Sequence, residues 1–291
     1  MVRRNVCLLA LASGLFVQAL SGCAVEVEGE GEALVAPLPQ ATEGAAPAKF
    51  SFFVTSLRAM RALSKSPNGF GGDLRFGETG ENPGLRGADK ICATIAAESL
   101  PGAGSKVWRA FLSTTKGGPS GMPVHAKDRI GEGPWYDRLG RLVALSKRDL
   151  LQFRPASADP LIKNDLPNED GVPNHDPDGT GQVDNHQTLT GTNNKGELFA
   201  QDLRYTCNDW TNAKADRIDS PRVGHSWLRA GVRPPSTPVT GGSYGDWMST
   251  SNEAGCGAGV SIVEMGGPRE SNPIVGSGGG YGGIYCFALQ P

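Results

Sequence analysis

Six cysteines constrain the fold of this chain of 291 residues more than any other feature of its sequence. Cys7 lies inside an N-terminal stretch with the character of an export signal, and Cys23 follows that stretch directly. The other four are Cys92, Cys207, Cys256 and Cys286. An even number of cysteines in the mature part of an exported chain predicts two disulfides, for which three pairings are possible. A zinc site is the alternative, but no CxxC pair and no cysteine–histidine spacing supports it.

Residues 1–22 predict export. Arg3 and Arg4 precede an apolar run, Val6 to Val17, that is too short to span a membrane. The segment that follows, Leu-Ser-Gly before Cys23, resembles the bacterial lipobox, in which the cysteine is acylated and becomes the mature N-terminus. The resemblance implies lipidation of Cys23 and an exported protein anchored in the bacterial cell envelope, at the outer membrane or cell surface. An ordinary signal peptide with a chance cysteine is the alternative.

Residues 23–49 predict a disordered tether. Four glutamates alternate with small residues from Glu26 to Glu32, and three prolines follow among alanines. Such a segment buries too little apolar surface to offset its chain entropy. Residues 50–291 remain, which is enough for one large core.

Charge and composition exclude one class of partner and favour one class of fold. Without the leader the chain carries 26 basic and 30 acidic residues, and this net charge of −4 gives no indication of nucleic-acid binding, which would need a basic patch. The whole chain contains 41 glycines and 21 prolines, which favour short strands and long turns over a helical bundle.

The apolar patterns predict several elements. Phe50 to Thr55 and Val107 to Ser113 are predicted strands, with Trp108 in the core, and Gly283 to Ala288 is the predicted last strand. A helix is predicted around Gly87 to Ala97, because its apolar residues recur at helical spacing. That stripe consists of Ala88, Ile91, Cys92, Ile95 and Ala96.

Three further segments carry weaker signals. Tyr205 to Trp210 is predicted to be a strand end with a cysteine for a disulfide and a tryptophan to bury. Arg154 to Glu197 is the longest polar stretch, and a loop of that length is typically functional or disordered. Thr211 to Pro238 is predicted to be irregular, and Ser261 to Glu264 a short strand.

An ordered set of segments resembles the C-type-lectin-like or endostatin-like fold found in bacterial secreted lipoproteins of mostly unassigned function. The segments are FSFFVT, GADKICATIAAESL, VWRAFLS, DRIGEGPWYD, LTGT at 189–192, CNDWTNA at 207–213, VGHSW at 223–227, the Cys256 loop and GIYCFAL. The resemblance implies an α+β fold with short antiparallel strands, one or two helices, long loops and two disulfides. It also implies that the first and last strands pair, and that the bridges are Cys92–Cys286 and Cys207–Cys256.

The resemblance also directs attention to one ligand site. C-type lectins hold Ca²⁺ with a Glu-Pro-Asn or Gln-Pro-Asp loop and a Trp-Asn-Asp strand, and the ion coordinates two sugar hydroxyls. This chain departs from both motifs, because its residues run Asn208, Asp209, Trp210 and its loop contains Val172-Pro173-Asn174. Asn208, Asp209 and Trp210 are nevertheless the candidate ligand-binding residues.

A second pattern predicts calcium independently of the resemblance. Asn174, Asp176 and Asp178 occupy positions 1, 3 and 5 of an EF-hand-type loop, and Gly179 occupies position 6. Asp184 or Asn185 could complete the oxygen shell, although the glutamate expected at position 12 is missing. A solvated acidic turn is the alternative. His175 and His186 could ligate a transition metal, but their spacing matches no recognised site.

Three functions remain open. The first is a membrane-anchored binding module that recognises a glycan or a surface protein through its long loops. The second is a structural or adhesive envelope lipoprotein with a calcium-stabilised loop. The third is an enzyme, since a similar fold hosts formylglycine-generating oxidases. Those need an active-site cysteine pair or copper-binding thiols, whereas every cysteine of the mature chain is assigned here to a disulfide or to lipidation. We therefore expect a binding protein with no catalytic residues and no cofactor other than Ca²⁺.

Overall fold

The computed structural model describes residues 49–179, 185–228, 246–261 and 272–291. The predicted signal, Cys23 and the tether up to residue 48 lie outside the described residues. Asp184 and residues 262–264 of the predicted strand also lie outside them. Within the residues that are described, no helix has the length and apolar character needed to cross a membrane.

The last strand, β8 (Gly280–Ala288), is the centre of the fold, and all of its residues are buried. Ile284 and Cys286 face one hydrophobic core, whereas Tyr285 and Phe287 face a second core. The two sets alternate because successive side chains of a strand point to opposite faces. The sheet is therefore buried on both of its faces, which explains why β8 reads as an almost continuous apolar run.

Within the described residues, most strand pairs are antiparallel. The other strands are β1 (Phe52–Val54), β2 (Trp108–Ala110), β3 (Trp135–Tyr136), β4 (Leu142–Ala144), β5 (Gln187–Leu189), β6 (Arg222–His225) and β7 (Ser251–Asn252). β8 pairs antiparallel with β1 and β2 and parallel with β5. β5 continues through β6 to β7 in antiparallel pairs, and β3 and β4 form a separate pair. The predicted α+β class and the pairing of the first and last strands are confirmed.

The helices pack against this sheet. They are α1 (Leu57–Ser64), α2 (Pro83–Ser99), α3 (Ala126–Arg129) and α4 (Lys147–Leu150), with 3-10 turns at Ala103–Ser105, Pro119–Gly121 and Leu203–Thr206. The predicted stripe on α2, from Ala88 to Ala96, is at most 1 % exposed. The predicted helix is therefore confirmed, and Pro83 extends its start because proline fits the first helical position.

Two disulfides close the fold in the pairs that the resemblance implies. Cys92–Cys286 joins α2 to β8, with Cα atoms 5.5 Å apart, and it spans 194 residues. Cys207–Cys256 spans 49 residues, with Cα atoms 5.7 Å apart. The first bridge therefore holds the long helix on the central strand, and the second holds the segment that begins at Cys207.

The predictions for three polar segments are wrong in part, although the disulfide of Cys207 and the burial of Trp210 are confirmed. Tyr205 to Trp210 is not a strand end, because a 3-10 turn there is followed by a left-handed turn, Cys207–Trp210. The long polar stretch contains β5, and the region predicted to be irregular contains β6. Both strands were missed because Thr188 and His225 are buried polar residues, so an apolar pattern does not mark them.

Candidate ligand-binding groove

The left-handed turn is the most unusual piece of backbone in the described part of the chain. Cys207, Asn208, Asp209 and Trp210 have φ angles of 48°, 55°, 54° and 64°. Each non-glycine residue in this conformation costs roughly 1–2 kcal/mol. Consecutive residues of this kind persist only where the surrounding structure holds them, and such strain clusters at ligand-binding and active sites.

Long-range contacts hold the turn at both ends. The disulfide fixes Cys207, and the buried Trp210 indole donates from Nε1 to the Ser113 carbonyl at 2.9 Å. The Asp209 carboxylate accepts from the backbone N–H of Thr115 at 2.7 Å and from its hydroxyl at 2.8 Å. Gly84 of α2 lies so close that a Cβ there would be 2.3 Å from the Asp209 carbonyl oxygen. The turn is thus clamped between α2 and the segment after β2.

A cavity of about 420 Å³ opens beside this turn. Three segments line it, at 80–85, 114–121 and 208–211. We call this cavity the polar groove, because Glu81, Asn82, Lys116 and Asn208 line it with charged and amide groups. Small-molecule sites typically fall between about 300 and 1,000 Å³ and carry a few polar groups that fix the ligand's orientation. The polar groove has those properties.

The start of α2 contributes to one wall of the polar groove. Asn82 has a left-handed φ of 46°, and its amide Nδ2 donates to the Gly117 carbonyl at 3.1 Å instead of capping the helix. This bond ties the 114–121 segment to the start of α2. The first turn of α2 contains no acidic residue, so its positive dipole end is not compensated from within the helix.

A second, more open concavity of about 620 Å³ adjoins the polar groove. We call it the basic concavity, and its charged lining residues are Glu78, Arg86, Asp89, Lys90, Arg109 and Arg129. Asn82, Leu85 and Gly117 line both cavities, so the two share a wall.

The charged groups of the basic concavity shift one another's pKa values. Hydrogen bonds from Lys90 and then Arg86 lower the pKa of Glu78, which is therefore ionised at neutral pH. Burial lowers the pKa of the Arg129 guanidinium, and the Asp89 charge opposes that effect. Arg129 Nη2 lies 2.8 Å from each carboxylate oxygen of Asp89, so the two side chains hold each other in place.

The predicted ligand-binding residues do not all line the polar groove. Asn208 and Asp209 line the polar groove, whereas Trp210 is fully buried beneath it. Asn208 is exposed, and its amide donates to the Thr211 hydroxyl at 2.8 Å. Sequence reasoning missed Asn82, Lys116 and Gly117. The Asn-Pro-Gly start of α2 and the Gly117-Gly118 pair are the signals that could have indicated a turn-built cavity there.

The predicted calcium turn lies apart from the residues that line the polar groove. Asn174 is 3 % exposed, and its amide donates to the Tyr281 hydroxyl at 3.1 Å, which in turn donates to the Thr55 carbonyl at 2.6 Å. Asn174 therefore does not fit the first ligand position of a surface calcium loop. Asp176 is partly exposed and Asp178 is exposed. Among the described residues, no three His, Cys, Asp or Glu side chains are grouped to hold a metal ion.

The histidines of the polar stretch pack in two pairs. His175 stacks on Trp227, with ring centroids 4.1 Å apart, and its Nδ1 contacts the Asp165 carboxylate. His186 instead packs against His225, with centroids 4.2 Å apart and both rings buried. Burial raises the pKa of Asp165, while the bond to His175 lowers it. These contacts tie the polar stretch to β6 and to Trp227, which follows that strand.

Comparisons with known proteins yield no relative. The chain matches no protein-family model, no curated protein and no solved structure. The functional proposal therefore rests on the contacts within this chain.

Proposed function

We propose that residues 50–291 form an extracytoplasmic binding domain that recognises a glycan through the polar groove. The domain is anchored to the cell envelope through an acylated Cys23 and presented on the tether of residues 23–49. The single observation that supports this proposal most strongly is the left-handed turn, whose strained backbone holds Asn208 and Asp209 at the wall of a polar cavity.

The chemistry of the polar groove suits a ligand rich in hydroxyl groups. Amide and carboxylate side chains, such as those of Asn82, Asn208 and Glu81, offer both donors and acceptors to hydroxyl groups. Glycines at 117, 118 and 121 allow a ligand to approach the backbone. A pre-organised polar wall also reduces the entropy that binding would otherwise cost.

We further propose that the fold is C-type-lectin-like. The paired first and last strands and the bridge from α2 to β8 support this assignment. A shared fold does not determine function, which depends on the site. The polar groove is formed in part by the CNDWTNA segment, although its backbone is a left-handed turn and not a strand end.

Calcium remains a prediction for Asp176, Asp178 and Asp184, without Asn174. We test it separately by measuring the melting temperature with CaCl₂ and with EDTA. A calcium-dependent rise that Asp178→Ala abolishes would support the site, because ligand binding to the native state alone stabilises it. An unchanged melting temperature would contradict the predicted calcium site and would not bear on the polar groove.

A structural or adhesive envelope protein is the second candidate, because the acidic stretch, residues 165–179, is used in internal contacts. Glu169 is buried and accepts a hydrogen bond from the backbone N–H of Ser56, which caps α1, at 2.9 Å. A melting shift with calcium and no bound ligand in any screen would favour this candidate.

The polar groove is tested by a glycan array with the purified protein. Asn208→Gly removes the amide but keeps a residue that adopts a positive φ freely, so the turn is retained. We expect array binding to fall at least tenfold in Asn208→Gly. Asn194→Gly is the matched control, because Asn194 lies in an exposed turn that does not line the groove. Equal binding by both variants, or no binding of any glycan by the wild type, would contradict the proposal.

A further inference from the structure

The basic concavity has a charge opposite to that of the protein. The whole chain has a net charge of −2, yet this concavity is lined by four basic and two acidic side chains. A concave surface with one sign of excess charge concentrates ligands of the opposite sign. An anionic ligand is therefore attracted to this surface although the protein is acidic.

Each carboxylate in the basic concavity is shared by two cations. Asp89 accepts two bonds from Arg129 and lies 3.3 Å from Arg109 Nη1. Glu78 lies 3.3 Å from Arg86 Nε and 3.2 Å from Lys90 Nζ. Two formal positive charges are therefore left over.

The cations of the basic concavity differ in exposure, and only the exposed ones can contact a ligand directly. The Arg129 side chain is 9 % exposed and bonds to Asp89 and to the Ala110 carbonyl. Arg109 and Lys90 are 38 % and 49 % exposed. An arginine presents a planar fork that binds carboxylate or sulfate groups through two parallel hydrogen bonds. Arg109 is thus the principal candidate for contact with an anionic group.

The shared wall of the two cavities determines the class of ligand. A chain that crosses Asn82, Leu85 and Gly117 meets polar side chains on one side and excess positive charge on the other. No aromatic side chain is among the residues that line either cavity, so neither offers the stacking platform that single-stranded nucleic acids use. At β2, which supplies Arg109 to the basic concavity, the Ala110 backbone N–H donates to Asp89 at 2.9 Å and the Ala110 carbonyl accepts from Arg129. These bonds occupy the backbone edge that a peptide would need for strand addition.

We propose that the domain selects acidic glycans, and that Arg109 and Lys90 in the basic concavity bind carboxylate or sulfate groups of a polysaccharide whose hydroxyl groups occupy the polar groove. This inference rests on the proposed function, and it names the substrate class of the same surface. The two anionic groups share one chemistry, so separate probes distinguish them.

The test measures binding of the purified full-length protein in detergent to four polymers at low salt. The probes are polygalacturonate, dextran sulfate, neutral dextran and poly-L-glutamate. We expect polygalacturonate or dextran sulfate to bind at least tenfold more tightly than dextran and poly-L-glutamate. Binding should weaken as salt is raised, because screening acts on partly exposed charges.

Variants assign the contact to the basic concavity. Arg109→Gln should weaken acidic-glycan binding five- to tenfold and reduce its salt dependence, and Lys90→Gln should act in the same direction. Arg109→Lys, which keeps the charge but loses the fork, should fall between wild type and Arg109→Gln. Arg148→Gln is the matched control, since it removes an exposed positive charge outside both cavities. We expect it to bind like the wild type.

The outcomes separate this inference from the proposed function. Binding of dextran as tight as that of the acidic polymers, with no effect of Arg109→Gln, would overturn the inference and leave glycan binding by the polar groove intact. Tight binding of poly-L-glutamate would also overturn it, because charge alone would then be recognised. Failure of every glycan, neutral or acidic, would overturn the proposed function itself.

Discussion

The left-handed turn Cys207–Trp210 and the predicted calcium turn 174–179 contain similar residues but use them in opposite ways. Each presents an asparagine followed by an aspartate within two positions. Asn208 is exposed at a cavity wall, whereas Asn174 is buried against Tyr281. The local backbone conformation therefore decides whether a polar residue lines a cavity or supports the core.

The same contrast extends to the contacts that surround each turn. Residues from β2, α2 and a disulfide clamp the left-handed turn, so its strain is maintained by distant parts of the chain. The acidic stretch also makes long-range contacts, but they support the core and do not line the polar groove, as Glu169 shows by accepting from the backbone N–H of Ser56 at the start of α1. A polar surface loop is therefore a weak indicator of function until the partners of its hydrogen bonds are known.

Removal of the second disulfide should have the largest effect and should act on the left-handed turn. Cys207→Ser with Cys256→Ser removes a loop closure of 49 residues, which corresponds to about 4 kcal/mol in the chain-entropy model. Urea unfolding should detect this loss, and glycan binding should disappear even at low temperature where the domain is folded. Retained binding in the folded double variant would contradict the role given to the clamp.

Stability should also depend on pH through Asp246, which lies outside both turns. Burial raises its pKa to about 7, so the folded state retains a proton that the unfolded state loses above about pH 4. Stability from this group is present at low pH and is lost as pH rises towards 7. The free energy of unfolding should be lower at pH 8 than at pH 5 by on the order of 2 kcal/mol.

Asp246→Asn is the control for this pH dependence. Asparagine keeps the oxygen that accepts from the Met248 backbone N–H at 2.8 Å, but it has no proton to lose. The difference between pH 5 and pH 8 should therefore shrink in the variant. Part of it should remain, because burial also raises the pKa values of Asp165 and Glu169. An unchanged pH profile would show that Asp246 is not the source of the pH-dependent stability.

Asn174→Ala tests the assignment of the calcium turn to the core. The change leaves the Tyr281 hydroxyl without its amide donor, so we expect a loss of about 1 to 2 kcal/mol in the free energy of unfolding. Glycan binding in the folded variant should equal that of the wild type. Asp178→Ala, at an exposed position of the same turn, should change stability by less than about 0.5 kcal/mol without calcium.

The smallest expected effect has the opposite sign. Asn208→Gly relieves a left-handed conformation and loses one exposed bond to Thr211, so its free energy of unfolding should stay level or rise by up to about 1 kcal/mol. Lys65→Gly relieves a φ of 54° at the end of α1 and serves as the stability control. A marked loss of stability in Asn208→Gly would show that the side chain supports the fold and does not serve ligand binding.

The sequence predicted the parts of this fold that local patterns encode. The helical periodicity of α2 and the continuous apolar run of β8 are signals within one element, and both elements are confirmed. β5 could not be found in this way, because its polar residues are buried through contacts with strands far along the chain. The left-handed turn contains no glycine, and its adjacent Asn208 and Asp209 are the only local residues that favour a positive φ.

The site was predictable only in part for the same reason. The resemblance singled out Asn208 and Asp209, which line the polar groove. It did not single out Lys116 or Asn82, because their relation to Asn208 exists only after α2 and the segment after β2 have packed against the turn. A cavity between three distant segments has no signature in any one of them.

Hydrogen–deuterium exchange with and without a bound acidic glycan compares the two turns within one experiment. If the polar groove is the binding surface, polygalacturonate or dextran sulfate should slow exchange at residues 114–121 and 208–211 and leave residues 165–179 unchanged. Slowed exchange at 165–179, with no change at the other two segments, would place the ligand on the acidic stretch and contradict the central claim.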